Sequence, residues 1–147
     1  MFYCQFLQFS GYPQTNLCGI VSSEGNYIPG TCNIGREQLA KRKLFLLKCV
    51  LVTLVCIIFL EVFHLDKTLR LFIFIPFTLT TIGTQQVLFK FCYIFGLKGY
   101  YGFGAVGKAK TVEEDAYRRL DLRKSQKMIL SSVIIGLILA FVYYYLV

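Results

Sequence analysis

Three stretches of the chain lose their polar positions almost completely. Leu71 to Phe89 and Met128 to Val147 run for nineteen and twenty residues without a charge, the length a helix needs to cross a hydrocarbon core of about 30 Å. A third stretch, Leu44 to Leu65, carries Lys48 near one end and Glu61 near the other, and spans if the two side chains reach for opposite headgroup layers. The pattern predicts an all-α membrane protein of three transmembrane helices. Their spans are about 44–65, 71–95 and 128–147, with a loop and helix at 96–127. The connection "HLDKTLR" (64–70) is short, so the first two spans are expected as an antiparallel hairpin.

Local signals sharpen these elements. A helix is predicted from Gly35, with Glu37 in its first turn, running through "REQLAKRK" into the first span. Pro76 is expected to kink the second span, with nearby threonines serving the freed carbonyl. Thr111-Val112-Glu113-Glu114 reads as a capping box, and from there one helix of roughly 50 Å is expected to reach Tyr145. Residues 1–31 are rich in Gly, Ser, Asn and Tyr, interrupted by Pro13 and Pro29, and predict an irregular segment. The opening "MFYCQFLQFSGYPQ" lacks the basic start of a cleavable signal peptide.

Composition agrees with lipid as the solvent. Of 147 residues, 56% are hydrophobic and 16% charged, where a soluble domain carries about one quarter charged residues. The net charge of +8 is distributed rather than clustered in a nucleic-acid-binding module, and neither nucleic acid nor nucleotide is expected as a partner. Fourteen of the sixteen basic residues lie before or just inside the first span (Arg36 to Lys48) or between the second and third (Lys90 to Lys127). Only Lys67 and Arg70 lie on the other side. The positive-inside rule then places the N-terminus and the 96–127 loop in the cytoplasm and the C-terminus opposite. Tyr143 to Tyr145 suit an outer aromatic belt, and Tyr93, Tyr100 and Tyr101 an inner one.

The run "GFGAVG" (102–107) has the spacing of a phosphate-binding turn, but it follows a membrane helix rather than a strand. Gly107-Lys108-Ala109 also lacks the Ser or Thr of a Walker loop, so the glycines predict a surface turn and no cofactor. Lys98, Lys108, Lys110, Arg118 and Arg119 are candidate lipid-headgroup contacts. Ser132, Gly136 and Ala140 form a small-residue stripe on the third span, and Thr80, Gly83 and Thr84 one on the second, both expected to pack helices. Gln85 and Gln86 are expected to hydrogen-bond between helices, with lining of a transport path as the sharper alternative. Glu61, His64 and Arg70 predict an interfacial ion pair.

Six cysteines show no C-x-x-C spacing, and the cytoplasmic placement predicts reduced thiols rather than structural disulfides. Cys32 in "TCNIGREQ" and Cys92 at the end of the second span are expected at one depth, close enough to form a thiol or metal-binding pair. With "CNIGREQLAKRK", "GTQQ" followed by "FC", "GLKG" and "KTVEEDAYRRLDLRK" in that order, residues 32–147 resemble a set of small bacterial membrane proteins of no established activity. The resemblance implies a bacterial inner-membrane location and draws attention to Cys32 and Cys92. The functional expectation is a non-enzymatic accessory or assembly subunit that packs on a membrane partner or on itself. A thiol redox or metal-binding protein and a small oligomeric transporter using Gln85, Gln86 and Glu61 are the alternatives.

Overall fold

The computed structural model describes residues 27–64, 66–103 and 109–146. The chain is mostly helical. Helix α1 is Arg36–Val62, α2 is the single turn Lys67–Arg70, and a 3-10 turn at Leu71–Ile73 leads into α3, Phe74–Leu88. Helix α4 is Tyr93–Lys98, strands β1 and β2 are Tyr100–Tyr101 and Lys110–Thr111, and α5 is Asp115–Leu146. Helices α1 and α5, and the run Leu71–Leu88, are long and apolar enough to cross a membrane. That makes the molecule a membrane protein by the length and composition of its helices.

The long helices form a row rather than a triangle. Helix α3 packs on both α1 and α5, while α1 and α5 share few contacts. Between α1 and α3 the contacts run in opposite sequence order: Leu46 lies on Gly83, and Thr53 meets Thr80 and Pro76. On the other side, Ser132, Gly136 and Ala140 are buried. A methyl group on Gly136 would collide with the Thr78 hydroxyl and stand 3.0 Å from the Thr78 backbone nitrogen and Cα. Only hydrogen fits where these two helices cross.

Pro76 does not interrupt the middle of its helix. It sits in the first turn of α3, where a missing N–H forfeits little, and the tighter 3-10 turn directly precedes it. Thr53 of α1 reaches across to bond both Thr80 Oγ1 (2.9 Å) and the Pro76 carbonyl (3.3 Å).

The expected second span, 71–95, is too long at its end. Helix α3 stops at Leu88, Lys90 takes a left-handed conformation (φ 48°), and Phe91 and Cys92 are fully buried before α4 begins. The expected capping box is also displaced. Thr111 belongs to β2, paired with Tyr100, and α5 starts at Asp115 with the Glu114 carbonyl accepting the Arg118 N–H. From there α5 runs 32 residues, about 48 Å at the standard rise. Residues 1–26, and with them most of the irregular segment expected at 1–31, lie outside the described residues. Residues 27–31 form an ordered turn, with Ile28 bridged to Cys32.

Candidate functional site

The start of α1, the end of α3 and the first third of α5 meet at one end of the row, together with the turn at 27–35, the short helix α4 and the ribbon. This cap comprises the turn at 27–35, α4, the β1–β2 ribbon and α5 up to Lys127. Two buried polar residues hold it together.

The first is Asn33, fully buried. Its amide donates to the Cys92 carbonyl (3.0 Å) and accepts the Cys92 N–H (2.7 Å). Its own carbonyl accepts the Gly102 N–H (2.9 Å), and the Gly102 carbonyl accepts the Gly35 N–H (2.8 Å). One side chain therefore supplies both ladder bonds that extended, water-excluded Cys92 has no strand to make. This is why α3 ends early: the chain leaves the helix at Lys90 and is received by Asn33.

The second is Asp121, on the face of α5 turned toward the 27–31 turn and fully buried. Its carboxylate accepts the Tyr27 hydroxyl (2.8 Å) and the Gly30 N–H (2.6 Å). Lys124, one turn on, donates to the Thr31 carbonyl (2.8 Å) and lies over the Phe91 ring, 4.7 Å from its centroid. Tyr27 in turn stacks on Tyr101 of β1 at 4.7 Å. Burial pushes the Asp121 carboxyl above its ordinary range, against the Gly30 N–H, the Tyr27 hydroxyl and the Lys124 charge, which all favour ionisation. Burial brings the Lys124 ammonium down to about 8, although Asp121 pulls it the other way. The Tyr27 hydroxyl is held above its usual value by burial first, then by its bond to Asp121 and that residue's charge.

Helix α4 closes the cap from the side. Gly96 rests so tightly on α5 that an added methyl would meet Ser125 Oγ, with the Phe91 ring and the Asp121 carbonyl inside 3.0 Å. Gly99, left-handed at φ 70°, ends α4 and turns the chain into the ribbon under the Arg118 side chain.

The residues singled out from sequence fall into separate places. Lys98 lies in the last turn of α4, Lys110 in β2, and Arg118 and Arg119 on the first turns of α5, all exposed on the cap. Lys108 and most of the 102–107 glycine run lie outside the described residues. Tyr101 packs within the cap, on Tyr27, rather than standing free as a belt residue. Thr84 bonds the Thr80 carbonyl of its own helix, and Gln85 bonds Ser131 of α5 (3.0 Å). Gln86 is buried, and among the described residues its carbonyl oxygen has no hydrogen-bond partner. At the opposite end of the row the Glu61 carboxylate accepts the Tyr143 hydroxyl and Arg70 acts electrostatically on the same tyrosine, while His64 closes the turn after α1 at φ 45°.

Cys32 and Cys92 are brought to the same place, since Asn33 follows one and clasps the other. The expectation of two reduced thiols there is corrected, however. Cys32 is disulfide-bonded, whereas Cys92, Cys49 and Cys56 are free. Spacing along the chain carried no sign of it. Among the described residues no three of His, Cys, Asp or Glu gather as metal ligands.

Sequence reasoning missed Asn33 and Asp121, the two residues that organise the cap. For Asp121 a signal existed: in "YRRLDLRKSQ" it lies four residues before Ser125 and seven before Met128, on the same helix face as the apolar stripe. Compared with known proteins, the chain matches no family model, no curated protein and no solved structure.

Proposed function

We propose that this chain is a non-enzymatic accessory or assembly subunit of a membrane protein complex, packing on a membrane partner or on itself. Helices α1 and α3 form an antiparallel hairpin. The third helix, α5, continues out of the lipid into a cytoplasmic cap that carries the binding determinants. The carrying observation is the bracing of that cap. Asp121 and Asn33 fix its turn, ribbon and short helix to the end of α5, so Lys98, Lys110, Arg118, Arg119 and Arg123 stand in set positions above the membrane. The charge asymmetry of the loops supports the cytoplasmic side, and an inner bacterial membrane supplies the anionic surface such a collar fits. Side chains able to do chemistry in the spans and cap (Asp121, Gln85, Glu61) are spent on holding the protein's own elements.

The test places a photo-crosslinking residue on the exposed flank of α5 (Leu130 or Ile138) and on the cap (Arg119), in cells. Discrete protein adducts at both are expected; a chain that crosslinks only to lipid and purifies as a bare monomer overturns the reading. Orientation is checked with an enzymatic reporter fused at the C-terminus, which a cytoplasmic cap places on the far side of the membrane; a reporter active only in the cytoplasm overturns the topology.

A further inference from the structure

The flank of α1 that meets α3 is not closed. Two apolar crevices of about 250 and 110 Å³ lie along the same seam, joined at Pro76, which lines both. Together they form one furrow from Lys48 and Leu79 at its cap end to Leu60 and Leu69 at the other. Lys48 to Leu60 is twelve residues of helix, about 18 Å, close to the depth of one leaflet of a bilayer whose hydrocarbon core is about 30 Å.

We propose that this furrow seats one acyl chain of an anionic phospholipid, whose phosphate is held by Lys48. Lys48 is exposed and lines the cap end of the furrow, and a lysine there can lay its alkyl stem on the apolar wall and reach its ammonium to the headgroup layer. A charge matched to a phosphate thus stands at the end of an apolar channel one chain deep. A helix from a second copy is a poorer occupant. Helices approach in lipid through small residues, and those of the spans are already used inward: Gly136 on Thr78, Gly83 on Leu46. The furrow is edged instead by Val52, Val55, Phe59 and Phe72, branched and aromatic apolar side chains suited to a hydrocarbon tail. The inference depends on the membrane placement of the helices and not on the accessory role, so a chain with no protein partner leaves it intact.

The full-length protein in mild detergent is offered phosphatidylglycerol or phosphatidylcholine with sixteen-carbon chains, and bound lipid is counted by native mass spectrometry. One lipid per chain is expected, with phosphatidylglycerol preferred about fivefold, the worth of one basic residue at a lipid surface. Lys48→Gln, an exposed position that leaves packing alone, is expected to erase the preference while both lipids still bind. Val55→Trp, which fills the larger crevice, is expected to lower retention of both lipids about tenfold, the loss of a few buried methylenes. Val52→Phe repeats the test in the smaller crevice, and Ile58→Trp on the outer face of α1 is expected to match the parent. Absence of a retained lipid, a preference untouched by Lys48→Gln, or retention untouched by both filling variants overturns the proposal. So does a dimer, without lipid, that Val55→Trp dissolves.

Discussion

Asp121→Ala is the most informative single change in the cap. It removes the acceptor for the Tyr27 hydroxyl and the Gly30 N–H, and the countercharge of Lys124. Hydrogen bonds to a charged group are worth about 1.5–3 kcal/mol each. Against this stands the relief of no longer burying a carboxylate, a cost visible in its raised pKa. The balance is a loss of about 3 kcal/mol, borne by the 27–31 turn rather than by the spans, which Asp121 does not touch. Hydrogen exchange in detergent micelles reads this directly. The Gly30, Cys32 and Gly102 amides are expected to exchange about a hundredfold faster, at about 1.4 kcal/mol per tenfold, while amides in α3 keep their rates. Asp121→Asn retains an acceptor of the same shape without the buried charge, and is expected to accelerate exchange less than tenfold. If Asn and Ala are equally damaging, charge rather than hydrogen bonding holds the turn and the reasoning fails. If neither changes exchange, the turn is not held by this residue.

Three further outcomes follow from the same structure. Asn33→Ala leaves the buried N–H of Cys92 without a partner, while its carbonyl keeps the Gly96 N–H, a cost of about 1–3 kcal/mol; maleimide labelling of Cys92 is expected to rise more than tenfold, and an unchanged rate counts against the clasp. Gly136→Val forces α5 off Thr78 and is expected to lower the melting temperature by at least 5 °C, as overpacking costs about 1–3 kcal/mol, whereas Leu137→Val on the exposed face leaves it in place. The pH dependence has a definite sign: the stability linked to Lys124, whose folded pKa is lowered, is fully present above its ordinary value of 10.5 and lost as pH falls through about 8. The stability linked to Asp121, whose folded pKa is raised, is fully present below 3.8 and lost as pH rises through its raised value. The cap is therefore least stable near neutrality, and the difference in melting temperature between the parent and Lys124→Met is expected to grow from pH 7 to pH 10; a flat difference refutes the assignment.

What could be read from the sequence was what lipid dictates: long runs without charge make helices because backbone groups in hydrocarbon have no other partners. The stripe at Ser132, Gly136 and Ala140 was visible for a similar reason, since a repeat every four residues marks one helix face. The cap was not legible. Its organising contacts join positions 59 and 91 residues apart, Asn33 to Cys92 and Gly30 to Asp121, and no local pattern encodes such a meeting. The early end of α3 was hidden likewise, because the residues from Phe91 to Phe95 resume the apolar run after Lys90, and the chain is received there by a side chain from elsewhere. The disulfide at Cys32 argues in the same sense, its spacing being silent about its mate.

The row of helices has a consequence for how the protein is made. Of the three, α3 is the least greasy, and its polar side chains are matched by residues of both neighbours: Thr80 by Thr53, Gln85 by Ser131. Until α5 has entered the bilayer, α3 has only its first neighbour, and Gln85 and Thr78 face a side not yet built. The middle rod must wait, half dressed, beside the insertion machinery until the last one arrives. A chain cut short before residue 115 would leave Gln85 without Ser131 and Thr78 without Gly136.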